Sequence, residues 1–305
     1  MAGRTTRRRV LKVTLPDEGT SRSKTTAATA VTKAAPAVQV RVQAEYRADL
    51  LASEEPLGIR IGGEALTMTM RTPGDDIELA AGFLVGEAIV RHPADIREIK
   101  LCDGASCRHE NHADHEIGNI AEVTLAGGLP VTTEHARRSF MTTSACGVCG
   151  KTSIDDICTL PQSPLENDTT RFPAETIATF PGRLRQAQKV FASTGGLHAA
   201  GLFTPAGDLI VVREDVGRHN AVDKVVGWAL LNDRLPLSGT ALLVSGRASF
   251  ELVQKAVLAG IPLLAAVSAP SSLAAELADE SGLTLAGFLR GSSMNVYTHA
   301  DRVIC

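Results

Sequence analysis

Aromatic residues are scarce in this chain. They make up only 4% of its 305 residues, although 44% are hydrophobic. A core of this composition must be built from Ala, Val, Leu and Ile, which favours an α/β protein over an aromatic-rich β-sandwich. No apolar run approaches the ~18 residues that a membrane helix needs. The length is sufficient for one large domain beside a smaller one.

Cysteine is also scarce, with six residues in the whole chain. This content is too low for a disulfide scaffold in a protein of this size. The segment TRRRVLK at residues 6–12 resembles an export signal, but Pro16, Asp17 and Glu18 follow it instead of an apolar stretch. We therefore expect a cytoplasmic protein whose thiols are reduced.

The net charge of −3 conceals an asymmetry. Residues 1–35 carry eight Lys and Arg against two acidic residues, whereas the remainder carries 23 basic and 32 acidic residues. The acidic body argues against a general nucleic-acid-binding protein. Because residues 14–37 are rich in Thr, Ala and Ser without apolar periodicity, we expect residues 1–38 to form a basic, disordered tail.

Residues 39–140 show mainly strand patterns. Apolar residues alternate with polar ones from residue 57 to 70 around Gly62-Gly63, which predicts a β-hairpin. A helix should follow, with Asp75 as its cap and Glu78 closing a capping box. Short strands fit residues 96–101 and 118–126. This part is expected to be a smaller, β-rich N-terminal domain.

Residues 171–305 show a different pattern, in which short apolar strands alternate with helices. Such alternation predicts an α/β domain whose sheet has parallel pairs and is covered on both faces. The stretch TIATFPGRLRQAQKVFA looks helical only in its second half. Residues 141–170 are interpreted as a loop and linker between the two domains.

That linker contains TTSACGVCGKTSID, in which Cys146 and Cys149 lie three residues apart and are each followed by glycine. One interpretation is a structural zinc site, which needs four N or S ligands. A second is a thioredoxin-like redox pair, although the glycines and the poor preceding strand pattern disfavour it. A third is a mobile sulfur-carrying thiol. Further zinc ligands could come from CDGASCRHENHADH, which contains Cys102, Cys107, His109, His112 and His115.

Several long blocks of the sequence resemble the FdhD family of formate dehydrogenase accessory sulfurtransferases, over roughly residues 53–302. The resemblance implies a cytoplasmic homodimer that takes sulfur from a cysteine desulfurase. It would pass this sulfur to the Mo-bis(molybdopterin guanine dinucleotide) cofactor before insertion into formate dehydrogenase. It also implies a cytidine-deaminase-like C-terminal domain. The blocks include the cysteine loop, EEPLGIRIGGEALTMTMRTPGDDIELAAGFLVGEAIV, STGGLHAAGLF, REDVGRHNAVDKVVG and GFLRGSSMNVYTH.

The resemblance also assigns site residues. Cys146 would hold the persulfide and Cys149 would assist it. The counterpart of the family's cofactor-binding segment is Phe288, Leu289, Arg290, Gly291, Ser292 and Ser293. Phe288 could stack on guanine, and Arg290 offers a planar fork for phosphate oxygens.

Three further residues lie between strands and helices and are weaker candidates for cofactor binding. Arg218 and His219 belong to a dense polar segment from Arg213 to Lys224, in which Asp215 could also cap a helix. Arg247 follows another apolar strand. Guanosine diphosphate is expected to bind as a fragment of the cofactor, and no permanent metal is expected.

A nucleobase deaminase is the rival function that the fold resemblance raises. This chemistry needs zinc, an H-x-E helix start and a later P-C-x-x-C. His198 is present, but Ala200 replaces the general acid/base Glu, and the downstream block SGRASFELVQ has no cysteine. The deaminase interpretation is therefore rejected.

Overall fold

The computed structural model describes residues 3–14, 43–102, 119–127 and 165–305. These ranges form a mixed α/β structure with four sheets and six α-helices. No helix in the described part of the chain is long and apolar enough to cross a membrane.

The first sheet is a two-stranded antiparallel ribbon of β1 (Thr5–Thr14) and β2 (Gln43–Ala52). The expectation that residues 1–38 form a disordered tail is therefore wrong for residues 5–14. Their backbone pairs from Thr5 opposite Ala52 to Thr14 opposite Gln43. Because the partner strand lies far along the sequence, local composition did not reveal the pairing.

The second sheet confirms the predicted hairpin and the two following strands. Gly62 and Gly63 form its turn with φ of 58° and 88°, values that glycine adopts readily. The strand order is β4-β3-β6-β5, so β4 and β5 are the edges. The strands are β3 (Glu55–Ile61), β4 (Glu64–Arg71), β5 (Ile96–Cys102) and β6 (Ile120–Leu125).

Helix α1 (Asp76–Gly86) follows the hairpin with Asp75 at its N-cap position, as predicted, but the side chains of Asp75 and Glu78 do not make the predicted capping hydrogen bonds. Asp75 adopts a left-handed backbone with φ of 58° and makes no capping hydrogen bond. Its carboxylate accepts a hydrogen bond from Arg4 at 2.7 Å, and Glu78 is paired with Arg213. Arginines that are distant in the sequence thus bind the two carboxylates, which the local sequence pattern had predicted to bind the backbone at the start of the helix.

The largest sheet has six strands in the order β13-β12-β11-β10-β8-β9. The three central strands β10, β11 and β12 are parallel, as predicted, and the outer strands are antiparallel to their neighbours. Its strands are β8 (His198–Phe203), β9 (Leu209–Asp215), β10 (Ala241–Val244), β11 (Leu263–Ala266), β12 (Thr284–Arg290) and β13 (Ser293–Val296). A small parallel pair joins β7 (Phe172–Pro173) to β14 (Val303–Ile304).

Five helices flank this sheet. α2 (Ala174–Ala187) and α3 (Lys189–Thr194) come before β8. α2 is helical over its whole length, although the sequence predicted a helix only in the second half of this stretch. Pro181 lies inside α2, where proline usually disfavours a helix. The other three are α4 (Arg218–Leu231), α5 (Phe250–Leu258) and α6 (Ser272–Glu280), the last capped by the side chain of Ser271.

Both faces of the six-stranded sheet are buried. α2 covers one face, where Phe180 stacks on Phe203 with ring centroids 4.2 Å apart. α4, α5 and α6 cover the other face, together with α1. α1 and α4 cross where Gly82 meets Gly227, and a Cβ on either glycine would lie 1.8 Å from a backbone oxygen of the other helix. The two halves of the chain therefore share one hydrophobic core.

The finer expectation of a cytidine-deaminase-like topology stays a prediction, as does the division into domains at residues 39–140, 141–170 and 171–305.

Candidate functional site

The candidate site lies at one edge of the six-stranded sheet. The carboxyl ends of β10, β11 and β12 meet there, and open α/β sheets bind ligands beyond such ends. Because β8 is antiparallel to β10, its first residue, His198, lies at the same edge. His198 is opposite Asp215, so β9 ends there too.

Backbone hydrogen bonds hold the loops of this edge side by side. The amide of Phe288 donates to the carbonyl of Ser268 at 3.1 Å, and the amide of Ser268 donates to Gly246 at 3.3 Å. The amide of Ser245 donates to Ala199 at 2.9 Å. The loops after β10 and β11 and the end of β12 therefore form one continuous surface.

A cavity of about 620 Å³ opens between this edge and helices α2 and α3. This volume falls in the range typical of small-molecule sites. Arg185 lies over the ring of Phe191, 4.0 Å from its centroid. The walls combine apolar side chains with a few polar groups, among them Arg185, Gln188, His198 and Ser245. Arg185, Gln188 and Phe191 were not identified from the sequence, because their role depends on how α2 and α3 pack against the sheet.

The predicted cofactor segment, residues 288–293, forms the tip of the hairpin between β12 and β13. Phe288 has φ of 51°, a left-handed conformation that is unusual for a bulky residue, and its side chain is 39% exposed. Strained backbone of this kind is often found at functional sites. Gly291, with φ of 55°, Ser292 and Ser293 are exposed at the tip.

Arg290 and Leu289 differ in what they can contribute. Arg290 is exposed, donates from Nε to the carbonyl of Val267 at 3.1 Å and lies 5.9 Å from the Phe288 ring centroid. Val267 lines the cavity, so Arg290 stands beside its mouth. The side chain of Leu289 is fully buried in the core, so only its backbone could contact a cofactor, and its place in the cofactor segment stays a prediction. The alternation of strand side chains explains this, because Leu289 points to the opposite face from its neighbours.

Arg218 and His198 meet across Gly246. A Cβ on Gly246 would lie 3.5 Å from the His198 ring and 3.9 Å from the Arg218 side chain. Nε of Arg218 is buried and has no hydrogen-bond partner among the described residues. Burial lowers the pKa of His198, and the nearby positive charges of Arg218 and His219 lower it further. The neutral form of the His198 imidazole is therefore favoured.

The side chain of His219 contacts residues of a neighbouring loop and helix. Its Nε2 lies 3.1 Å from the Ser249 hydroxyl and 3.6 Å from a carboxylate oxygen of Glu251. Burial alone would raise the pKa of Glu251, but hydrogen bonds from His219, its own backbone and Ser249 lower it to about 2. Arg247, the third weaker candidate, is exposed on the loop after β10.

The polar segment from Arg213 to Lys224 is mostly structural, which corrects the interpretation that its polar density indicates function. Glu214 accepts hydrogen bonds from two amides at the start of α3. Asp223 pairs with Lys255 at 2.6 Å. Arg218 and His219 are the members of this segment whose positive charges lower the pKa of His198 at the sheet edge.

Asp215 is the centre of this structural network. The alternative that it caps α4 does not hold, because the cap position is Gly217. The buried carboxylate of Asp215 pairs with Lys224 at 2.7 Å. It also accepts hydrogen bonds from the amides of Thr72 and Gly217 and from the side chain of Asn220. The network fixes the backbone on both sides of Arg218.

Cys146 and Cys149 lie outside the described residues, as does the histidine-rich stretch of residues 102–115 apart from Cys102. Of the cysteines that the structure describes, Cys102 is disulfide-bonded, contrary to the expectation of reduced thiols, and Cys305 is free and exposed. Within the described ranges, no cluster of three or more His, Cys, Asp and Glu side chains could hold a metal ion. Ala200, at the position of a deaminase acid/base, is fully buried.

The fold and the sheet edge thus define a mixed α/β protein with a ligand-sized cavity that the exposed Arg185 lines. Arg290 is exposed at the same sheet edge, and the buried Nε of Arg218 there has no partner among the described residues. The chain belongs to the FdhD/NarQ family, whose model matches residues 52–304.

Curated relatives agree with this family, and a solved structure is similar in fold. The protein named sulfur carrier protein FdhD from Mycolicibacterium paratuberculosis is 56% identical over 261 residues, covering 86% of this chain and 94% of the relative. The protein of the same name from Saccharolobus solfataricus is 42% identical over 270 residues, covering 87% and 96%. A crystal structure of a candidate formate dehydrogenase accessory protein from Desulfotalea psychrophila matches with a TM-score of 0.65 at 24% identity, covering 97% of this chain and 99% of that one. That structure supports the fold alone.

Proposed function

We propose that this chain is a sulfur carrier for the maturation of formate dehydrogenase and acts as a persulfide sulfurtransferase. The observation that carries this proposal is the similarity over nearly the whole length to relatives that are named sulfur carrier protein FdhD. One from Streptomyces coelicolor is 57% identical over 258 residues, covering 84% of this chain and 90% of the relative.

The chemistry is centred on Cys146. Its thiolate attacks the terminal sulfur of a persulfide on a cysteine desulfurase. The sulfur–sulfur bond of the donor breaks, the donor cysteine leaves as a thiolate, and a new sulfur–sulfur bond forms on Cys146. Cys149 assists this exchange as a neighbouring thiol.

The acceptor in this proposal is the Mo-bis(molybdopterin guanine dinucleotide) cofactor, which is a substrate and not a resident group. Its guanine nucleotide end suits the edge of the six-stranded sheet. Arg290 and Arg247 are exposed there, and Arg218 has a buried Nε without a partner among the described residues. Guanidinium groups bind phosphate oxygens in a planar, bidentate manner. The exposed ring of Phe288 provides a stacking surface for the base.

The partners follow from the same family resemblance. We expect a cysteine desulfurase as the donor, formate dehydrogenase as the recipient of the cofactor, and a homodimer that works in the cytoplasm.

The experiment is complementation of a formate-dehydrogenase-deficient host that lacks its own protein of this family. The parent chain and the control variant Cys305→Ala should restore formate dehydrogenase activity, whereas Cys146→Ala should not. Restoration by Cys146→Ala would refute the proposal. If metal analysis then found bound zinc, the zinc-module interpretation would replace it.

A further inference from the structure

The cavity at the sheet edge contains polar groups that the fold leaves unused. Gln188 lines it, and although this side chain is only 5% exposed, its amide makes no hydrogen bond to the residues that the structure describes. The ring of His198, whose neutral form offers one donor and one acceptor, lines the cavity in the same unpartnered state within those ranges. The hydroxyl of Ser245 accepts from the amide of Ala199 at 2.9 Å and keeps its own O–H as a donor. Because buried polar groups are normally hydrogen-bonded, these three groups indicate a ligand with a polar edge.

The remaining walls of the cavity suit a flat ring. Leu184, Leu197 and Val216 supply apolar lining. Arg185 lies over the ring of Phe191 and is itself exposed, so the second face of its guanidinium is accessible. A guanidinium plane stacks well on aromatic rings. The cavity therefore fits a planar heteroaromatic ring that has amino and carbonyl groups on one edge.

The proposed acceptor contains two rings of this kind in each of its dinucleotides. Guanine is at one end, a pterin is at the other, and the phosphates lie between them. The binding groups of the sheet edge follow the same order. Arg290 lies between Phe288, whose ring centroid is 5.9 Å from its guanidinium, and Val267, whose carbonyl accepts from its Nε at 3.1 Å. Val267 belongs to the cavity wall, so phosphates on Arg290 and guanine on Phe288 direct the pterin toward the cavity.

We propose that the cavity binds the pterin ring of the cofactor, with Gln188 and Ser245 on its polar edge and Arg185 stacked on its face. The inference rests on the proposed function and extends it, because that function assigns residues to the guanine end alone. The pterin end carries the molybdenum that receives the sulfur. Holding this end in a cavity orients the acceptor for the transfer.

The test is fluorescence titration of the full chain with hydroxymethylpterin, with and without saturating guanosine diphosphate. The parent should bind this pterin equally well in both conditions, because the two ligands occupy different parts of the sheet edge. Gln188→Leu nearly keeps the size of the side chain and removes its hydrogen bonds, so affinity for the pterin should fall at least about fivefold. Affinity for guanosine diphosphate should not change in this variant.

A matched pair of arginine variants tests the stacking surface. Arg185→Ala should weaken pterin binding, whereas Arg234→Ala should not. Arg234 also lies over an aromatic ring, that of Trp228, 5.1 Å from its centroid, but it does not line the cavity. Because both arginines are exposed, this pair tests the proposal even if Gln188→Leu does not fold.

Three results would overturn the proposal. The first is a parent that does not bind the pterin. The second is displacement of the pterin by guanosine diphosphate together with loss of both ligands in Gln188→Leu, which would place guanine in the cavity. The third is unchanged pterin affinity in Gln188→Leu and Arg185→Ala. Sulfur loading of the same samples separates this inference from the proposed function. A parent that loads sulfur on Cys146 but binds no pterin contradicts the inference alone, whereas a parent that loads no sulfur contradicts the proposed function.

Discussion

Removing one partner of the buried pair of Lys224 and Asp215 should greatly lower the free energy of unfolding. Its Nζ and Oδ2 atoms lie 2.7 Å apart, and the side chains are 1% and 0% exposed. Lys224→Met would leave the carboxylate buried without its counter-ion. Such a loss typically costs about 3–5 kcal/mol. The three hydrogen bonds that Asp215 keeps from Thr72, Gly217 and Asn220 should hold the cost near the lower end.

Urea denaturation of the parent and Lys224→Met measures this cost. The matched control is Lys100→Met, because Lys100 pairs with Glu98 at 2.9 Å while the side chains are 64% and 49% exposed. A surface pair of this kind contributes no more than about 1 kcal/mol. Because Asp215 also fixes the backbone beside Arg218, affinity for guanosine diphosphate should fall in Lys224→Met. Equal losses of stability in the two variants would refute the argument.

Three further predictions concern the site and its support. Arg290→Ala should lower the affinity for guanosine diphosphate at least about tenfold in calorimetric titration, because it removes an arginine–phosphate contact. The control Arg97→Ala, on the four-stranded sheet, should not lower it. Unchanged binding in Arg290→Ala would place the nucleotide elsewhere. Gly227→Ala should lower the free energy of unfolding by about 3 kcal/mol or more in thermal unfolding, because its Cβ would lie 1.8 Å from a backbone oxygen of α1. The control Gly182→Ala should be neutral or stabilising, because a Cβ there would have no atom within 4 Å. The folded pKa of His198 lies below its ordinary 6.5, so the unfolded chain binds the proton more readily and stability should fall as the pH is lowered through about 6.5 toward the folded pKa. His198→Gln should reduce that fall, and an identical pH profile would contradict this role.

Much of the fold could be predicted because it is encoded locally. Gly62-Gly63 between two alternating runs specifies the hairpin, and apolar strands alternating with helices specify the parallel centre of the larger sheet. What could not be predicted depends on distant partners. Residues 5–14 form a strand only because β2 pairs with them, and the carboxylates of Asp75 and Glu78 are taken by Arg4 and Arg213.

The candidate site, like the fold, could be predicted from the sequence only in part. Arg247 and Arg290, which the sequence places after apolar strands, do lie with Arg218 at the sheet edge where the central parallel strands end, and their role in binding stays a prediction. Polar density in the segment from Arg213 to Lys224 was a poor guide, because a buried network needs as many polar groups as a binding site. The cavity wall beside Phe191 could not be predicted, because it forms only when α2 and α3 pack against the sheet, and no local sequence pattern indicates this packing.

The most direct measurement of the central claim is the intact mass of the protein after incubation with cysteine and a cysteine desulfurase. The account predicts that the parent and Cys305→Ala gain the mass of one sulfur atom, that cyanide removes it, and that Cys146→Ala gains none. A cyanide-labile sulfur adduct that persists in Cys146→Ala, or its absence from the parent, would contradict the account.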